Sequence, residues 1–192
     1  MRSLVEQSFV DRIPALREKH RALGLTEEES LATLEELPRK MREGFDDTEW
    51  LELVWAGKLA ELGRLQFEDR GDGVLGVHVP ETGPLDPAAC DASFARAREV
   101  YPEHHTFVCT SWLLDPALAD VLPADSNIVR FQRRFELTSE GGDANADVLR
   151  FVFHTRDPDL DKLAPHTTLE RALVERMRAG GRWRAPTGRL SR

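Results

Sequence analysis

A histidine closes the valine-rich stretch VLGVHVP, and the corner ETGPLDP, rich in proline and glycine, follows at once. The stretch reads as a strand, so His78 stands at its C-terminal end. With an unperturbed pKa of about 6.5, an imidazole there can take a proton near neutral pH and act as a general base. A partly buried histidine can also bond into a sheet and do no chemistry, and the sequence leaves both readings open. Downstream, Cys109 and Ser111 alternate along HTFVCTSWLL, an apolar strand on which alternate residues share one face. Ser111 can protonate a leaving group or bind a carbonyl; it can equally be a plain core hydroxyl. Cys109 could pair with His78 as nucleophile and base, although cysteine commonly serves as a small buried hydrophobe.

A third polar set, Ser126, Asn127, Arg130, Gln132 and Arg133, follows a proline turn. Ser126 reads first as a helix cap, and Asn127 can hold the turn or a substrate amide. Arg130 and Arg133, three apart, can share a helical face and bind a phosphate or carboxylate, although solvation is the usual fate of such surface pairs. Tyr101 begins a Tyr-Pro-Glu turn and is expected to pack there. His104, His105, His154 and His166 have no HxxxH or HExxH spacing, so no metal site is expected. GDGVLG spells GxGxxG, but its glycines precede a strand instead of joining a strand to a helix, which the dinucleotide fingerprint requires.

The elements that must position these residues follow from period and caps. Ile13, Leu16, His20 and Leu23 recur at helical spacing until Gly24, and Thr26 with Glu29 forms a capping box for a second helix, bent or divided at Pro38. A third helix is predicted from Asp47 or Thr48 to Gly63. RLQFE and VLGVHVP form a hairpin across DRGDG. LDPAACDASFARAREVY is a helix with Asp86 as N-cap and Pro87 at its first position. After the HTFVCTSWLL strand come a short helix in DPALADVL, a helix turning into a strand in SNIVRFQRRFELTSE, a strand in DVLRFVFHT, a capped helix in TTLERALVERMRAGG and a last strand in WRAPTGRL. Phe131 and Phe135 read as core.

The 192 residues suit one ordinary domain with a helical lead-in, and 41% apolar with 31% charged residues suits a folded, cytoplasmic chain. A formal charge of −8 repels nucleic-acid phosphates and anionic lipid, so neither is expected as a partner. No stretch approaches the roughly 18 apolar residues of a membrane span, and the first residues carry charges where a signal peptide needs an apolar run. Cys90 and Cys109 show no CxxC spacing and read as reduced thiols.

Taken together, IPALREKHRALGLTEEESLATLEELPRKM, LGRLQFE, HVPETGPLDPAACDASFARARE, SWLLDPALADVLPADSNIVRFQRRFEL and TTLERALVERMRAGGRW resemble a family of bacterial, largely actinobacterial, GNAT-like acyltransferase-domain proteins. The resemblance runs from about Ile13 to Trp183. It implies an α/β (α+β) fold: a mixed sheet flanked by helices over 63–192, preceded by a helical segment over 1–62. It also implies longer relatives with sequence before the part matched by Ile13, and a homodimer or partner chain where a sheet edge is left open.

In such a fold acyl-coenzyme A, as co-substrate, lies where two strands splay apart, and its pyrophosphate meets a helix N-terminus. The resemblance makes VLGVHVP and FVCTSWLL those strands and ETGPLD the phosphate loop. His78 becomes the base for the amine of a small-molecule acceptor, assisted by Ser111. Val79, Thr82, Gly83, Ser111, Asn127 and Arg130 become the coenzyme-binding residues. The corner departs from the family's Q/R-x-x-G-x-G/A loop. It offers only Gly83, places non-donors at Pro80, Pro84 and Pro87, and adds Glu81 and Asp86, which repel pyrophosphate. That departure supports a second expectation, a GNAT-like scaffold without transferase activity that senses a ligand or binds a protein.

Overall fold

The computed structural model describes residues 4–42, 48–157 and 159–191, with side chains described over 11–37, 50–157 and 159–191. It divides into two compact units, Met1–Pro80 with Ala88–His105, and Glu81–Pro87 with Thr106–Arg192.

The first unit opens with helices α1 (Leu4–Ala22), α2 (Glu27–Arg42) and α3 (Thr48–Ala56). Helix α1 ends as its sequence predicts. Gly24 adopts φ +78°, its N–H donates to the Arg21 carbonyl, and Leu25 N–H reaches back to His20. The Thr26–Glu29 box forms in both directions, at 2.7 and 3.1 Å, and starts α2. Helix α2 runs on undivided past position 38; the Pro38 ring and Asp47 lie outside what is described.

Helix α3 does not reach Gly63. Gly57, at φ +73°, closes it with the same pair of bonds, Gly57 N to Val54 O and Lys58 N to Leu53 O. Leu59–Leu62 is strand β1 instead, fully buried and hydrogen-bonded to β2 (Leu65–Asp69), which pairs with β3 (Val74–His78). All three run antiparallel. Leu16, Leu37, Trp50, Val54 and Leu59 make one core cluster. Helix α4 (Pro87–Val100) brings Phe94 edge-on to Phe67, ring centroids 5.8 Å apart.

The second unit holds strand β4 (Thr106–Thr110), a 3-10 turn at Trp112–Leu114, and helices α5 (Ala117–Val121) and α6 (Asn127–Gln132). Strands β5 (Glu136–Leu137) and β6 (Gly142–Asp143) follow. Where DVLRFVF reads as a strand, the chain forms helix α7 (Asn145–Phe153), with Val148 and Leu149 buried. Asp143 Oδ1 accepts the first helical N–H, and tertiary burial outweighs the β-branched and aromatic composition. Helix α8 (Thr168–Arg178) begins with a complete Thr167–Glu170 capping box. Strands β7 (Arg184–Ala185) and β8 (Thr187–Ser191) finish the chain. Strand β8 lies between β4 and β5, antiparallel to both. Among the described residues no helix is long and apolar enough to cross a membrane.

Candidate active site

Register decides which side chains meet around His78. Phe67 opposes Val77 on one face of the β2–β3 ladder, so Gln66 and Glu68 share the other face with His78 and Gly76. Gln66 stands opposite His78, and Glu68 stands opposite Gly76, which has no side chain to meet it. The Glu68 carboxylate therefore leans along the diagonal, and its Oε2 lies 2.8 Å from His78 Nε2. Arg70 reaches the same oxygen with Nε at 3.2 Å and Nη2 at 3.1 Å. Glu68 is 14% exposed and His78 is 38% exposed, so the carboxylate is sheltered while the ring reaches solvent. The His78 bond and, after it, Arg70 outweigh burial and hold the Glu68 carboxyl down at about 2.

The neighbouring pair on the strand's other side behaves differently. His104 Nε2 meets Asp69 Oδ1 at 2.9 Å, yet His104 Nδ1 is buried with no partner among the described residues. Tyr101 packs edge-on against that ring, its hydroxyl is also buried with no partner among the described residues, and burial pushes its pKa up to about 12. Tyr101 is a packing residue, as its turn predicts.

The corner after His78 is fastened at both ends by arginines, a role the sequence does not predict for either. Within the first unit, Arg64 Nη1 donates to the Pro80 carbonyl at 3.0 Å. Within the second, Arg134 Nη2 donates to the Pro87 carbonyl at 3.0 Å. Val79 is half-buried; Thr82 and Gly83 are exposed, Gly83 at φ +113°. No local sequence signal marks Arg64 or Arg134, because each acts on a carbonyl distant in the chain.

Ser111 does not continue strand β4, so it does not alternate with Cys109 inside that strand. Its Oγ accepts the Leu113 N–H at 3.1 Å and caps the 3-10 turn, which leaves the hydroxyl hydrogen free to donate. Cys109 is 1% exposed. Ser126 caps α6 through Val129 N–H at 3.3 Å, as predicted. Asn127 is half-buried at the first position of α6, and Arg130 is exposed beyond it. Gln132 Nε2 donates to the Leu113 and Asp115 carbonyls at 2.8 and 2.9 Å, tying α6 to the turn that Ser111 caps. Val79 and His78 thus belong to the first unit; Thr82, Gly83, Ser111, Asn127 and Arg130 belong to the second. Among the described residues no group of three or more His, Cys, Asp or Glu side chains is placed to hold a metal ion.

Residues 59–190 match the family model of a GNAT-like C-terminal domain. No curated protein matches the chain. Among solved structures, an acyltransferase in complex with decanoyl-CoA is 35% identical, with a TM-score of 0.85, over 95% of this chain and 64% of that one. An acyltransferase mutant in complex with octanoyl-CoA is 33% identical at a TM-score of 0.85, with the same coverage. An acyltransferase in complex with CoA and 10C-teicoplanin is 35% identical at a TM-score of 0.83, again over 95% and 64%. This chain spans 64% of the length of the structures it matches. At these levels of similarity the α/β architecture of strands flanked by helices is the GNAT-like fold that the sequence resemblance implies.

Proposed function

Because the chain belongs to the family of GNAT-like C-terminal domains, we propose that it is an acyl-coenzyme A-dependent N-acyltransferase acting on the amine of a small molecule. The observation that carries this reading is His78 at the end of β3, part exposed and backed at 2.8 Å by a carboxylate held ionised. That arrangement is a general base, in a chain similar to acyltransferases crystallised with CoA and acyl-CoA.

In the proposed reaction the amine nitrogen attacks the thioester carbonyl, the C–N bond forms and the C–S bond breaks. His78 takes the amine proton and later releases it to solvent, while the Ser111 hydroxyl donates a proton to the departing thiolate and regains one from solvent, leaving the amide, the free thiol and the starting protonation of both residues. Thr82 and Gly83 would offer backbone N–H groups to the pyrophosphate, with Val79, Asn127 and Arg130 as the further coenzyme contacts. The octanoyl and decanoyl groups and the teicoplanin bound by the similar structures suggest medium-chain donors and a bulky small-molecule acceptor as first candidates.

Thermal-shift and calorimetric titration with CoA and with acetyl-, octanoyl- and decanoyl-CoA test the binding step. A ligand at a hundred times its Kd stabilises the fold by about 2.7 kcal/mol, and no saturable response across the panel would overturn the reading. Thiol release with an amine panel that includes teicoplanin tests the chemistry. Saturable binding without thiol release would favour the ligand-sensing scaffold instead.

A further inference from the structure

We propose that Glu68 is a positioning residue: it holds the Nε2–H of His78 and so makes Nδ1 the atom that receives the substrate proton. The inference rests on the acyltransferase reading above. Its geometry begins with the ladder, where Gly76 sets no side chain of its own opposite Glu68 and the carboxylate reaches diagonally to the imidazole at 2.8 Å. An ionised carboxylate only accepts hydrogen bonds. The ring nitrogen facing it must therefore carry hydrogen, and in the neutral ring the other nitrogen must carry the lone pair. Arg70 grips the same oxygen with two donors, which fixes the carboxylate before any substrate arrives.

The contrast with His104 separates this pair from a merely structural one. Both histidines give Nε2 to an acid of strand β2, Glu68 on one face and Asp69 on the other. At His104 the remaining nitrogen is sealed inside the protein, whereas at His78 it has no partner among the described residues and its side chain is 38% exposed. Of these two, His78 is the one that can present a lone pair to an incoming amine. Once Nδ1 takes the proton, the imidazolium faces a carboxylate already in place, and no group has to reorient.

Nitrogen-15 NMR of the labelled chain, with the His78 signals identified by their loss in His78→Gln, reads the tautomer without any substrate. The wild type should show Nε2 protonated and Nδ1 pyridine-like. Glu68→Ala should turn this into a mixture of tautomers and lower kcat about 10- to 100-fold, while KM for the acyl-CoA donor stays near the parent value. The isosteric Glu68→Gln should also lose kcat, since its neutral amide no longer stabilises the imidazolium. Wild-type His78 protonated on Nδ1 would overturn the proposal without recourse to any variant. So would turnover by Glu68→Ala as fast as the parent's. Failure of the wild type to release thiol from any acyl-CoA would overturn the reaction itself, and the base role of His78 with it.

Discussion

Gly76 stands directly opposite Glu68 in the β2–β3 ladder, and the Arg70 guanidinium fills the space that a side chain at 76 would occupy. A Cβ there would lie 2.6 Å from Arg70 Nε. The obstructing atoms are the far end of a flexible side chain, so Gly76→Ala should fold with a loss of about 1 kcal/mol or less. Arg70 must swing aside, however, and release its grip on Glu68. His78 and then Arg70 hold the Glu68 carboxyl at about 2 against the cost of burial, so losing Arg70 should raise that value toward the ordinary carboxylate range. A pH titration of the Glu68 carboxyl carbon by NMR, parent against variant, measures this. An unmoved titration curve would show that Arg70 contributes nothing to the pair.

His20 predicts how stability responds to acid. It is fully buried between α1 and α2, its Nδ1 lies 2.8 Å from Ser30 Oγ, and its Nε2 has no partner among the described residues. Burial, and secondarily the charge on Arg17, lowers its pKa below 6.5. The unfolded chain therefore takes up this proton at a higher pH than the folded one. His20 costs nothing well above 6.5, and stability falls as pH drops through 6.5 toward the folded value, by at most about 1.4 kcal/mol per pH unit. Urea midpoints between pH 7.5 and pH 5 should fall less steeply in the double variant His20→Leu/Ser30→Ala, which removes the titrating ring and its partner together. Parallel pH dependences in the two proteins would rule His20 out as a contributor.

Arg96 joins three pieces of the first unit. Its Nε and Nη2 fork onto the two Glu29 oxygens at 2.6 and 3.0 Å, and Nη2 also donates to the Gly24 carbonyl at 2.8 Å. Glu29 is the capping-box acid of α2 and is 14% exposed, so this is a sheltered pair rather than a loose surface one. Arg96→Ala should cost about 1.5–3 kcal/mol, the range for hydrogen bonds to charged groups. Arg96→Lys should recover only part of that, since an ammonium cannot fork. Equal denaturation midpoints for Arg96→Lys and the parent would mean that charge alone, not planar geometry, holds the junction.

What was legible in the sequence was whatever is decided within a few residues. The Thr26–Glu29 box, the Ser126 cap and the Gly24 stop are all local bonds, and each forms where its residues predict; the start of α8 is likewise set locally, by Thr167 and Glu170. Strand β1 was hidden because LAEL continues the apolar period of WLELVWAGK, while the decisive event is the positive φ of Gly57. Helix α7 was hidden because VLRFVF has strand-like composition, and its helical form depends on what buries Val148 and Leu149. His78 was legible as the last residue of a valine-rich strand. Glu68 was not: it is one acid among 34, and only register, with a glycine across from it, turns it toward the imidazole.

The covalent alternative, with Cys109 as nucleophile, meets a physical obstacle in the second unit. Cys109 sits within β4 opposite Gly188 and is 1% exposed, whereas reactive thiols need partial exposure and a stabilised thiolate. Cys109→Ala should keep the parent's thiol-release rate while costing some stability, since it deletes a small buried group. Intact-mass measurement after incubation with decanoyl-CoA, without amine, gives the complementary readout. A non-covalent direct transfer leaves the protein mass unchanged. An added decanoyl group that disappears in Cys109→Ala would instead establish an acyl-enzyme, move the first bond-breaking step from the amine to the thiol, and leave His78 as the base for cysteine rather than for the acceptor.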